Sequence, residues 1–259
     1  MNTVLLLKLL LVPALIALVT LAGRRWGPGV AGWLSAFPVV AGPILWFIAL
    51  KQGADFAATA AVGTLSAVLG MLAFGLSYAW AATRFAWPLS LPLAYVGYAA
   101  AVLLLDWWHA SLLSAAIGVV LGLWLAPQLY PRLAATTASA AKPPRDMLMR
   151  MALGAALVLL VTYFAARMGP TLSGILAMFP VMGTVLVLFT HRSAGAAAAV
   201  QLLRGMVLGF YAFSVFCALL AWLLPVAGIG GALTAALAGA AVVQALSRLR
   251  LQRHAAAHR

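Results

Sequence analysis

Apolar residues run through this chain in long stretches, interrupted by short clusters of charged residues, glycine and proline. Crossing a hydrocarbon core of about 30 Å takes roughly 20 helical residues. Nine stretches come near or exceed that length: about 3–22, 29–50, 56–82, 89–105, 110–127, 148–166, 171–190, 196–223 and 229–247. Backbone amides and carbonyls find no water inside a bilayer, so each stretch is expected to be a helix. The fourth and fifth are separated only by Asp106-Trp107-Trp108-His109, where the tryptophans suit a headgroup-level anchor between two spans.

The pattern repeats. Gly27-Pro28 leads into Ala31-Gly32-Trp33-Leu34-Ser35-Ala36-Phe37-Pro38-Val39, and 142 residues later Gly169-Pro170 leads into Ser173-Gly174-Ile175-Leu176-Ala177-Met178-Phe179-Pro180-Val181. At the same offset Lys8 aligns with Arg150, Arg25 with Arg167, Gly53 with Gly195, Gly63 with Gly205 and Trp80 with Trp222. One period covers four spans, with the fifth lying between the copies. An odd number of crossings therefore separates the two repeat starts, and the second copy is expected to be inverted. The predicted organisation is a first four-span repeat over 1–105, a linking span and proline-rich linker over 106–147, and a second repeat with a basic tail over 148–259.

Charge bears on the count. With nine alternating spans, Arg24, Arg25, Arg84, Arg132, Lys142, Arg145, Arg150, Arg192, Arg248, Arg250, Arg253 and Arg259 share one side, while Lys8, Lys51 and Arg167 share the other. Arg204 falls inside a span. The positive-inside rule makes the crowded side cytoplasmic, placing the N-terminus outside and the C-terminus inside. Merging the fourth and fifth stretches would destroy this bias.

Composition narrows the class. Residues are 66% hydrophobic and 7% charged, with no glutamate, which cannot clothe a soluble domain of this size. The expected product is an all-α polytopic protein of a bacterial-type inner membrane. A formal charge of +13 would suggest nucleic acid in a soluble protein, but here the basic residues sit in the gaps between spans and argue for topology instead. Leu5 to Val19 has the look of a secretory leader, yet Arg24 and Arg25 follow the run rather than precede it, so it reads as a span. Cys217 is the single cysteine and lies in an apolar run, where an inert buried thiol is expected.

Each half resembles the small four-span GlpM-type membrane proteins. In the second half the likeness rests on Leu153-Gly154-Ala155-Ala156-Leu157-Val158-Leu159-Leu160, then Ser173-Gly174 and Phe179-Pro180, with a basic connector after the second span. The first half carries Ala31-Gly32 and Phe37-Pro38. The resemblance implies a four-helix membrane unit of the cell envelope and brings no defined activity. Two fused copies depart from the single-unit pattern.

Pro38 and Pro180 lie about ten residues into their spans, and each removes a backbone donor from the carbonyl four residues earlier, Leu34 or Leu176. Broken helices in equivalent positions of two halves point to a binding site near the bilayer midplane. Gly32, Ser35, Phe37, Gly42, Ser173, Gly174, Phe179, Gly183 and Thr184 surround the breaks and join the two prolines as candidate substrate-binding or gating residues. Arg204, about nine residues into its span, either reaches back toward the interface or offers a cation to an anionic cargo, with Gln201 one turn before it. Asp106 and His109, three residues apart, form a candidate proton-coupling pair or simply mark a span end. Trp26, Trp33, Trp46, Trp80, Trp87, Trp124 and Trp222 fall near span ends and read as an aromatic girdle.

No metalloprotease helix, phosphate-cradling loop, carboxylate pair or serine triad is present, so neither an enzyme, a metal nor a cofactor is expected. The leading expectation is a permease or flippase that alternates access between inverted repeats. Its cargo would be a small metabolite or lipid-linked group, and its partners membrane lipids and other copies or envelope subunits. That mechanism calls for a polar cavity between the second and seventh spans. The competing expectation is a non-transporting scaffold or assembly subunit, packed solid at the level of Pro38 and Pro180.

Overall fold

The computed structural model describes residues 3–108, 110–133, 146–165 and 179–256, among which the secondary structure is helical with no strand. The helices are α1 (Thr3–Trp26), α2 (Pro28–Ser35), α3 (Ala41–Gln52), α4 (Ala54–Ala81), α5 (Trp87–Trp108), α6 (Leu112–Leu129), α7 (Met147–Ala165) and α8 (Val181–Ala256). Six of them, α1, α4, α5, α6, α7 and α8, are long and apolar enough to cross a membrane. Leu10, Val96, Leu104, Leu113, Leu148 and Val226 are among the large apolar side chains on the outer surface. Soluble monomers rarely expose continuous apolar surface on this scale. The chain is a multi-pass helical membrane protein.

Glycine and proline set the joints. Gly27 at φ 92° precedes Pro28, whose missing amide hydrogen costs nothing in a first helical turn. Gly53 (φ 92°, ψ 167°) joins α3 to α4. α8 is broken at Gly195 (φ 84°, ψ 176°) and Gly228 (φ 69°, ψ 172°) into segments 181–194, 196–227 and 229–256, here α8a, α8b and α8c. Side chains disfavour this left-handed conformation, so glycine is required for these abrupt redirections.

The expected second span is thus two short helices, α2 and α3, divided at Pro38, and neither crosses a bilayer alone. The end of the expected seventh span and the whole of the eighth and ninth lie along α8. The first part of the seventh, 171–178, lies outside the described residues, as do 166–170 before it. The fourth and fifth expected spans are separate helices, α5 and α6, with Trp107 exposed where α5 ends.

At the centre of the bundle, α4 packs against α3, α5, α6 and α8. Buried along this seam are Leu65, Val68 and Tyr78 of α4, Val119 and Leu123 of α6, and Leu202, Phe216 and Leu224 of α8b. Cys217 is fully buried beside them. A second, smaller core unites α1 and α7 through Val12, Ile16 and Val158 with Val185 and Phe189 of α8a. Asp146 ties this region at the helix ends: its carboxylate lies 3.1 Å from Arg150 of α7 and 3.9 Å from Arg24 of α1. Arg150, only 4% exposed, also stacks over the Phe189 ring at 4.9 Å.

Candidate functional site

Both prolines build the same turn. The Val39 amide donates to the Phe37 carbonyl at 2.8 Å, and the Val181 amide to the Phe179 carbonyl at 2.8 Å. Each bond spans two residues and closes a tight three-residue turn around the proline. Helix resumes at once, with Gly42 donating to Pro38 at 3.0 Å and Thr184 to Pro180 at 2.8 Å. The Leu34 carbonyl, deprived of its usual donor by Pro38, accepts from the Phe37 amide at 3.2 Å. Its counterpart Leu176 lies outside the described residues, as do Ser173 and Gly174.

The turns converge on shared neighbours. Val40, just past the first proline, and Val181 and Met182, just past the second, pack against the small core of Ile16 and Val158. Met206 of α8b reaches both sides: its amide abuts Gly32, and its methyl lies near Gly183, 3.7 Å from where a β-carbon would sit. Gly32 sits so close to the Leu202 carbonyl that a β-carbon there would strike the main chain, and Gly205 and Gly209 admit Gly29 and Trp33 in the same way. Small residues let these helices cross nearly backbone to backbone. Ser35 turns its hydroxyl back to the Gly32 carbonyl at 2.7 Å, as a local bond.

Around Pro180 the neighbours are aromatic and polar. Phe179 packs with Tyr95 (centroids 5.0 Å apart) and Tyr98 (6.4 Å), and Tyr95 packs with Phe74 (5.7 Å). The Tyr95 hydroxyl and the Thr184 hydroxyl are 2.9 Å apart. Seven residues further along α8a, His191 Nδ1 lies 2.9 Å from the Tyr78 hydroxyl. Two helical turns return to the same face, so α8a is fastened twice to the α4–α5 pair.

The matching contact, with the two copies exchanged, has no such ladder. At the 142-residue offset Thr184, Tyr95, His191 and Tyr78 correspond to Gly42, Leu237, Ala49 and Leu220. Gly42 faces the ring of Phe216, whose own counterpart Phe74 lies against Gly183. The shape is retained and the polarity is not. Tyr78, Tyr95 and His191 escaped the sequence reading, although aligning the copies would have exposed them as polar groups opposite apolar ones.

Among the described residues a small void of about 10 Å³ lies at this level, bounded by Phe74, Tyr130, Pro180, Gly183, Met206 and Phe210. That is room for about one water. It lies beside α4 and α8b, and the described residues pack closely around it. Tyr130 is buried, its hydroxyl against Gly75. Burial pushes that phenol above its ordinary pKa, with the charge of Arg204 pulling the other way, so it stays neutral.

Arg204 is half-buried and meets no carboxylate among the described residues. Its Nη2 donates to the carbonyls of Tyr130 (3.1 Å) and Pro131 (3.3 Å) just past the end of α6, while Nε is buried without a partner. A cation there complements the negative end of the α6 dipole. Gln201 lies instead beside Gly29 of α2 and is exposed. Asp106 is exposed in the last turn of α5, and His109 lies outside the described residues.

The girdle reading fits the exposed Trp26, Trp46, Trp80, Trp124 and Trp222. Trp33 departs from it. Its indole is buried and donates to Ser247 at 2.7 Å, and its carbonyl accepts from Gln244 at 3.1 Å, so α2 is anchored to α8c. Among the described residues no cluster of side chains is suited to hold a metal. No family model, curated protein or solved structure matches the chain, and its function is read from the site itself.

Proposed function

We propose that this protein is a nine-span permease or flippase of a bacterial-type inner membrane, working by alternating access between two inverted GlpM-like repeats. The observation that carries the reading is the identical hydrogen-bonded turn at Pro38 and Pro180, 142 residues apart. Three further correspondences at that offset support it: Gly53 and Gly195 share one unusual backbone conformation, Ile16 and Val158 share one small core, and Val40 and Met182 pack against that core together. Residue mates that share a neighbourhood are what a two-fold axis in the membrane plane produces.

Helix-end contacts agree with nine alternating spans. Arg24 with Asp146, Tyr78 with His191, Trp80 with Leu129, Arg150 with Phe189 and Trp33 with Ser247 each join ends that alternation assigns to one side. By the charge bias that side is the cytoplasm. The turns at Pro38 and Pro180 would be the moving parts, and the Tyr95–Thr184 and Tyr78–His191 bonds would hold the second of them shut. Since Arg204 is engaged by carbonyls, the lean toward an anionic cargo rests on the scarcity of acids, and the cargo class stays a small metabolite or a lipid-linked group.

The tight packing around Pro180 favours one alternative, a scaffold or assembly subunit that moves nothing. Reconstitution separates the two. Liposomes carrying the protein should flip fluorescent phospholipids or exchange solutes from a metabolite panel, and Pro180→Ala should slow that flux at least tenfold. A panel without flux, together with Pro38→Ala and Pro180→Ala chains that keep cellular function and co-purify with larger envelope proteins, would establish the scaffold.

A further inference from the structure

We propose that a groove between α4 and α5 binds an anionic phospholipid. This site lies apart from the proline turns: Leu93, Val96 and Gly97 line it on one face of α5, while Tyr95 and Tyr98 occupy the other.

The groove is a shallow, open trough of about 480 Å³ on the outside of the bundle. Ligand clefts run from roughly 300 to 1,000 Å³. α5 closes on α4 where Gly97 lies against the Ser77 hydroxyl. Beside that contact Leu93 and Val96, both exposed, offer a hydrocarbon surface. Trp80 forms a wall whose position is fixed, because its indole donates to the Leu129 carbonyl at 2.9 Å while the ring remains exposed.

At the turn between the helices Arg84 completes the lining. It is exposed and makes no ion pair among the described residues. None of the three aspartates lines the groove: Asp55 and Asp106 lie at the opposite ends of these two helices, and Asp146 is committed to Arg24 and Arg150. A guanidinium at a span end beside an apolar trough and an interfacial tryptophan matches a phosphodiester with its acyl chain alongside. With no carboxylate to receive the ammonium of a zwitterionic headgroup, the match is to a lipid of net negative charge. Basic pockets between membrane helices bind such headgroups.

Native mass spectrometry of the purified full chain tests this, using phosphatidylglycerol and phosphatidylcholine of identical acyl chains. Wild type should retain phosphatidylglycerol preferentially. Arg84→Gln should weaken retention about fivefold, the equivalent of about 1 kcal/mol for one interfacial cation. Val96→Trp, which fills the trough, should weaken it at least as much. Arg84→Lys should recover part of the loss, and Arg192→Gln, at an exposed arginine elsewhere, should leave retention unchanged. Retention that is equal for the two lipids, or equal in wild type and Arg84→Gln, would overturn the proposal and leave only annular lipid. Pro180→Ala should not alter retention, so this test stands or falls separately from transport.

Discussion

Tyr95 and Thr184 share a hydrogen bond where their counterparts at the 142-residue offset are Leu237 and Gly42. That polarity calls for a reason, because a hydroxyl pair between membrane helices contributes little to stability, averaging about 0.6 kcal/mol where measured. A double-mutant cycle of Tyr95→Phe and Thr184→Val, followed by unfolding in mixed detergent micelles, should give a coupling of about 0.5–1 kcal/mol. Under the gating reading the same variants raise flux or leak far more than that small energy suggests. A coupling near zero would mean the hydroxyls are merely adjacent. Arg204 contributes differently: its Nη2 caps the open carbonyls beyond α6, so its partner is a helix end and no carboxylate.

At the scale of elements, the crossing of α2 over α8b depends on the absence of side chains. A β-carbon on Gly32 would meet main-chain atoms of Leu202 and Met206, which cannot rotate away, whereas one on Gly230 would meet nothing. Gly32→Ala should therefore cost about 1–3 kcal/mol, the range for overpacking, and Gly230→Ala should be neutral or slightly stabilising. Thermal melting with a size-exclusion readout distinguishes them, and equal melting temperatures would refute the close crossing. Much of this was legible in the sequence. Prolines 38 and 180 announced breaks where the chain does turn, and Trp107-Trp108 announced the end of α5. The joints at Gly195 and Gly228 were legible as well: they fall in the gaps between the expected spans 171–190, 196–223 and 229–247, the first just after His191 and Arg192. Less legible were the pairings across the bundle, since Trp33 looks like any interfacial tryptophan until Ser247, 214 residues away, is beside it. The Gly205-x-x-x-Gly209 spacing was a readable sign of the close crossing that went unused.

For the molecule as a whole, orientation decides the mechanism. Cys217 is the single cysteine and is fully buried, so introduced cysteines can be read against a quiet background. Gln52 and Ala194, both exposed, neighbour the matching glycines at 53 and 195. In inverted copies Gln52→Cys labels with an impermeant maleimide from outside the cell and Ala194→Cys only after permeabilisation. Labelling of both from one side would mean parallel copies, and alternating access between inverted halves would fail. Thr83→Cys, at the other end of α4, should behave like Ala194→Cys.

The clasp of α2 onto α8b and α8c has a consequence for how the chain can be divided. Through Gly32, Trp33, Gln244 and Ser247 a piece of the N-terminal half completes the C-terminal one, while α8a is hydrogen-bonded to α4 and α5 in return. The units that fold are thus exchanged relative to the order of translation. A polypeptide ending after Leu133 would leave α2 and the α4–α5 face uncovered, awaiting the missing helices, and two separately made pieces would need each other in the same membrane to become a protein.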